Sequence, residues 1–359
     1  MDENPSDVDV LVVGGGVAGL SAALTLARSR RSVTVVDAGD PRNAPASGVH
    51  GLLSRDGIPP GELLRMGREE VAAYGGQVVV DRAVAARRDG ERFLVDTAGG
   101  RRYAARRLLV STGLADRLPD VAGLRERWGR DVLHCPYCHG WEVRDQRIGV
   151  LATGPAAVHQ ALLFRQLSAD VTVFTHTAGD LDVEQRERLA ACGVGVVEGP
   201  VTAVEVDDDR LTGVRLASGR RVPAQALVVA PRFEARDGLP ADLGLTAVEH
   251  PMGVGCHVES GAGGLTGVAG VWVAGDVTDL MGGVPAAAAA GVRAAAAINA
   301  DLVAADADAA VARRREGRRH KDGGAGAFGP AGEAAVCELV AGERRHGLES
   351  LLPPGPPQE

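Results

Sequence analysis

The chain has 359 residues, enough for about two domains, and its 45% hydrophobic and 24% charged residues are an ordinary globular balance. A net charge of −8 argues against nucleic acid as a main partner. Lys321 is the only lysine, which excludes a P-loop and a pyridoxal Schiff base. The acidic start has no apolar targeting run, and the stretch 286–303 carries Arg293 and Asp301 and reads as a closely packed helix instead of a membrane span. Five cysteines are too few and too uneven for a secreted disulfide framework, so a cytoplasmic protein is expected.

Residues 8–13 read as a buried strand, followed by Gly14-Gly15-Gly16-Val17-Ala18-Gly19, a helix over 20–29, and a strand over 32–36 that ends in Asp37. Gly14, Gly16 and Gly19 hold the GxGxxG spacing. They give a tight turn, close approach to a pyrophosphate and tight helix packing, and Asp37 stands where a ribose hydroxyl binds. A second unit of the same kind begins near Arg147: a strand over 148–151, the turn Ala152 to Ala157, a helix over 158–166 and a strand over 171–174. Here the turn reads AxGxxA. Ala152 replaces the tight-turn glycine, Pro155 removes an N–H, and His176 and Thr177 stand where an acid is expected. Two readings stay open, a scaffold kept for structure and a true NAD(P) site. Further on, 271–274 is a short strand leading to Gly275-Asp276, and a long helix starts near Pro285. Residues 321–359 read as a flexible tail with at most one short helix near 331–345, and the basic run 313–321 as a solvated face.

The most informative stretch is His134-Cys135-Pro136-Tyr137-Cys138-His139-Gly140. A CxxC at a turn can form a disulfide and lower one thiol's pKa, and flanking histidines can move protons near neutral pH. Structural zinc takes two separated ligand pairs, which the isolated Cys192, Cys256 and Cys337 do not supply, so no metal is expected. Trp141 reads as core or a pocket wall.

The order of these motifs resembles the thioredoxin-reductase-like flavoproteins over about residues 7–305, carried by 14–20 with Asp37, Ser111-Thr112-Gly113, the CxxC and 271–276. The resemblance implies an α/β fold of two Rossmann-like dinucleotide-binding domains, the second inserted in the first. The FAD domain would be 1–117 plus 244–320, and 118–243 the NAD(P)-like domain with the CxxC. It implies FAD, a homodimer, and flavin contacts at Gly14, Gly16, Ala18, Gly19, Asp37, Arg42, Asn43, His50, Thr112, Gly113, Gly275, Asp276 and Val284. The last of these contacts runs through backbone, because Met281 to Val284 lacks the family's glutamine. His139 replaces the aspartate that follows the CxxC in ordinary thioredoxin reductases. Cys135 to Glu142 reads CxxCHGWE and is similar to the dithiol oxidases of gliotoxin and holomycin biosynthesis. That resemblance implies a small-molecule dithiol closed to a disulfide by Cys135 and Cys138 with His139 as base, and O2 as acceptor giving H2O2. An NADPH-dependent reductase of thioredoxin-like proteins and a non-catalytic flavin-binding sensor are the alternatives.

Overall fold

The computed structural model describes residues 6–323, with side chains to residue 317. The chain divides into two compact units, 1–300 and 301–359, and everything below concerns the first. The reading of 321–359 as a tail, with its short helix, lies outside the residues whose side chains are described.

The first glycine turn sits in a seven-stranded sheet. Ser6–Val13 lies between Val33–Asp37 and Arg102–Val110, all parallel, and Gln77–Val80 extends the row beyond Val33–Asp37. Arg102–Val110 shares its other edge. Its first half pairs antiparallel with Arg92–Thr97, and its last three residues pair parallel with Val271–Val273. Parallel strands covered on both faces must be apolar throughout, and Val10, Leu11, Val12, Val35, Leu108, Leu109 and Val110 are all fully buried.

A second, five-stranded sheet is entirely parallel, in the order Gly195–Val197, Val171–Phe174, Ile148–Leu151, Ala226–Val229, Val132–Leu133. Its two faces feed separate cores. Ile148, Val150 and Val173 pack with Phe164, whereas Leu151, Phe174 and Leu227 pack with Leu211 and Val214 of an antiparallel flap. Strand alternation produces that division. The chain leaves the first sheet through Leu114–Arg117 and returns through Arg232–Ala235, and these two strands pair antiparallel. The second sheet is thus nested between the segments that build the first.

The expected strands 148–151 and 171–174 stand as read, and the first helix is Val17–Arg28. The long helix begins at Val284. By length and composition its Val284–Gly317 stretch could cross a membrane. Ala294, Ala295 and Ile298 are nevertheless fully buried, and a Cβ on Gly291 would lie 2.0 Å from the Ala18 carbonyl oxygen. The stretch up to residue 300 is therefore a core helix packed on the first glycine turn's helix through small residues, as its alanines suggest.

Candidate active site

At the first glycine turn each glycine answers to a separate contact. Gly14 donates to the Val36 carbonyl (2.8 Å) and holds φ at +104°, and a Cβ there would stand 2.2 Å from the Ser111 carbonyl oxygen. A Cβ on Gly19 would meet the Gly14 carbonyl at 2.0 Å, so the helix can sit directly on the turn. Gly16 is different, because a Cβ there would meet nothing within 4 Å. The helix Val17–Arg28 opens on Gly16 with no side-chain cap, which leaves its first N–H groups to a ligand. Asp37 accepts from the Gly15 N–H (3.1 Å) and from Arg68 (3.0 Å).

Opposite, Gly275 adopts φ +79° beside Ala18, and Asp276 follows it. Burial raises the Asp276 carboxyl above its ordinary value, against the pull of Arg42, which bonds it at 3.0 Å. Arg42 also forms a two-point pair with Asp116 (2.9 and 2.7 Å) and lies over the Phe233 ring (5.2 Å). Thr112 donates to the Arg236 carbonyl (2.9 Å), Gly113 holds φ +73° with open space at its Cβ position, and Asn43 is half-buried in the turn beside Arg42. Val284 is half-buried as the first residue of the long helix. An open glycine, an uncapped helix start, a buried acid at ribose height and a second, half-buried acid fit FAD. The Gly16 cradle with Asp37 would hold the adenosine diphosphate half, and Asp276 with Thr112–Gly113 the ribityl side.

Cys135 precedes a one-turn helix, Pro136–His139, whose first position is the proline. The turn is closed by N–H groups of Cys138 and His139 on the Cys135 carbonyl (3.3 and 3.2 Å). Gly140 is required, because a Cβ there would lie 2.3 Å from the Pro136 carbonyl oxygen and 2.4 Å from Leu167. The two sulfurs are free thiols in the structure. The Cys138 S–H, then the Cys138 and Tyr137 backbone N–H groups, hold the Cys135 thiol down at about 7, with Arg42 assisting. The same pairing, with burial and the Asp276 charge, pushes Cys138 well up. His134 stacks on Trp128 (5.8 Å) and meets Phe233 edge-on (5.7 Å), and burial with the Arg42 charge pushes it down to about 4.

His139 also titrates below its ordinary value through burial, against the Glu142 charge, and its Nε2 is buried without a partner. Glu142 and His139 line one cleft of 530 Å³ together with Arg127 and Arg130. Glu142 also borders a second cleft with His50, whose Nε2 is 3.4 Å from it and whose Nδ1 is 3.3 Å from Asp56. His50 is thus engaged by two carboxylates at the side of the CxxC. Both of its ring nitrogens face these carboxylates in this structure.

The second glycine turn differs sharply from the first. Ala152 N–H reaches the Phe174 carbonyl (2.9 Å), the counterpart of Gly14 to Val36. The residue matching Asp37 is therefore Thr175, one place before the expected His176. Thr175 is buried, and its hydroxyl accepts from the Gly199 N–H (3.2 Å). His176, at φ +43°, accepts from the Val201 N–H (3.1 Å). The N–H groups of Thr177 and Ala178 both close on the Ala152 carbonyl (3.3 and 3.2 Å). The difference lies at the ribose end: Gly154, the counterpart of Gly16, is equally open and the helix Ala157–Arg165 equally uncapped, but a buried threonine bonded within the protein stands where the first unit has its acid.

The structure brings Arg42, expected only as a flavin contact, to Cys135, Cys138 and Asp276. Sequence reasoning missed Asp116, Arg68, Asp56 and the linking role of Glu142. Of these only Glu142 carried a signal, its place three residues after His139.

Residues 8–294 match the pyridine nucleotide-disulphide oxidoreductase family. The thioredoxin reductase sirT of Leptosphaeria maculans is 31% identical over 320 residues, covering 84% of this chain and 96% of that protein. The thioredoxin reductase tcpT of Claviceps purpurea is 32% identical over 258 residues, 66% of this chain and 78% of that protein. Among solved structures, HlmI superposes with a TM-score of 0.79 at 46% identity, covering 87% of this chain and 97% of that one. The cradle, the cysteine pair and these likenesses agree: the chain belongs to the pyridine nucleotide-disulphide oxidoreductase family, as a thioredoxin-reductase-like, FAD-binding disulfide oxidoreductase.

Proposed function

We propose that the enzyme is an oxidase that closes a small-molecule dithiol to a disulfide, with O2 as final acceptor and H2O2 as product. The observation that carries this reading is the second glycine turn, whose ribose-side groups are bonded internally, beside a cysteine pair followed by histidine. An NADPH-driven reductase needs that turn open.

His139 takes the proton of the first substrate thiol. Burial keeps its imidazole neutral near pH 7, and Nε2 has no protein partner to displace. The substrate thiolate attacks Cys135 Sγ, the Cys135–Cys138 bond breaks, and Cys138 leaves and is reprotonated. Burial and the Asp276 charge, which persist once Cys135 is in the mixed disulfide, favour that protonation. The second substrate thiol, deprotonated in turn, attacks its neighbour in the mixed disulfide, and Cys135 leaves. A thiol held near 7 is a better leaving group than an ordinary one. Two electrons and two protons have then passed from substrate to the cysteine pair. FAD, when bound by the Gly16 cradle, Asp37 and Asp276, would supply the two-electron acceptor for the cysteine pair. Arg42 lies between the cysteines and Asp276 and steadies negative charge on either. His134 is half-buried and too low in pKa for proton work, and its stacking against Trp128 and Phe233 holds the strand before Cys135. The same reading takes the enzyme as a cytoplasmic homodimer.

The test is anaerobic bleaching of the yellow protein, with NADPH or NADH in one cuvette and a small dithiol in the other. Bleaching by the dithiol alone, with peroxide on readmitting air, is expected. Rapid bleaching by NADPH makes the enzyme a disulfide reductase instead.

A further inference from the structure

Beside the cysteine pair lies a cleft of 570 Å³, within the range of small-ligand pockets. Its walls are unlike each other. Tyr137 and Trp141 stand 79% and 64% exposed on one side, with Leu167 near them. Large aromatics in water next to a reactive thiol are unusual, since such rings normally seek cover. The Arg144 guanidinium covers one face of Trp141 at 4.2 Å and is tied to the Trp141 carbonyl, which fixes the ring. On the other side stand Glu142 and Asp56, bridged by His50. The Gly51 N–H is already spent on Asp56 (2.8 Å), so this wall offers acceptors and negative charge. The cleft of 530 Å³ that shares Glu142 carries both signs, with Arg127 and Arg130 paired to Asp131 and Asp209 in its wall.

We infer that the aromatic cleft is the substrate site, and that it takes a small, neutral or cationic dithiol carrying a flat apolar ring, with the ring on Tyr137 and Trp141 and its N–H or O–H donors on Glu142 and Asp56. Anionic thiols of the glutathione kind are rejected by the two carboxylates. The inference rests on Cys135 as the sulfur attacked but not on the electron acceptor, so a binding measurement separates its failure from failure of the oxidase reading.

The experiment is calorimetric titration of the air-oxidised holoenzyme with three disulfides that share one dithiolane: lipoate, lipoamide and N-benzyl-lipoamide. N-benzyl-lipoamide binds about fivefold tighter than lipoamide, the gain of one aromatic stack, and lipoate binds weakest. In Trp141→Ala and Tyr137→Ala the benzyl gain vanishes while the lipoamide-to-lipoate ratio stays. In Glu142→Gln that ratio shrinks and the benzyl gain stays. Both aromatic side chains are largely exposed, so these variants fold, and their FAD content and circular dichroism check it. Equal affinity for the three probes overturns the inference. So does a ranking untouched by the aromatic variants, tightest binding of lipoate, or binding of thioredoxin alone.

Discussion

Cys135 and Cys138 differ in character although they share one helical turn. Cys135 precedes the turn and collects the Cys138 S–H and two backbone N–H groups, whereas Cys138 stands toward Asp276. Alkylation of the reduced enzyme by iodoacetamide should therefore show a Cys135 midpoint near 7. Replacing Cys138 by alanine removes the largest cause and raises that midpoint toward the ordinary thiol range, while Cys138→Ser, which keeps an O–H donor, raises it less. A Cys138→Ala midpoint equal to wild type would mean that Arg42 sets the thiol's acidity. Asp276 makes the reverse case. Burial lifts its carboxyl above the unfolded value, so the native state binds the proton more tightly than the unfolded chain. For an acid raised in this way, stability falls as pH rises through the window between the two values. In flavin-free protein, Asp276→Asn should match or exceed wild-type melting temperature at pH 7. The gap should close as pH drops below about 4, where both states are protonated. A variant less stable than wild type at pH 7 would show that the Arg42 pairing outweighs burial.

The same glycine can be a structural necessity or a place kept for ligand, and the element around it decides which. At Gly14 a Cβ runs into the Ser111 backbone and φ is +104°, so Gly14→Ala should cost about 3 kcal/mol in the apoprotein. At Gly16 the backbone is extended and the Cβ position is open. Gly16→Ala should leave the apoprotein's denaturant midpoint near wild type and still purify with little flavin, because the methyl occupies space a phosphate needs. If Gly16→Ala keeps a full complement of FAD, the cradle has been assigned to the wrong residues. These elements were also the legible ones. The strands over 148–151 and 171–174 read correctly because buried parallel strands are short unbroken apolar runs bounded by turns. Between 83 and 107 the strands carry arginines and mix exposed, half-buried and buried positions, and no run stands out. The CxxC and the glycines declare themselves by spacing. The partners that give them chemistry arrive from far along the chain. Asp116 reaches Arg42 across 74 residues and Arg68 reaches Asp37 across 31, on a helix that carries no side-chain cap. Long-range salt bridges of this kind leave no periodic trace.

At the scale of the molecule, two sheets built on one plan carry glycine turns in different condition. The first is open at Gly16 and faces two acids. The second is equally open at Gly154, but Thr177 and Ala178 fold back on the Ala152 carbonyl and Thr175 is buried in place of an acid. A ligand that binds only the folded state stabilises it in proportion to the logarithm of its concentration over Kd. At a hundredfold excess that is about 2.7 kcal/mol, or about 4 °C for a protein of this size. Adding FAD to the apoprotein should raise its melting temperature by that order, whereas NADPH and NADH at millimolar concentration should leave it unmoved. Ala152→Gly, which restores the tight-turn residue alone, should leave the nicotinamide response flat, because the carbonyl at 152 remains taken and Thr175 remains the acid's substitute. The outcome that matters is a saturable rise with NADPH in the native chain. It would mean that the internal bonds at 175–178 open at small cost, and that electrons can enter from the nucleotide side. A flat response leaves the cysteine pair as the route by which electrons reach this flavin, and fixes the direction of flow from thiol to acceptor.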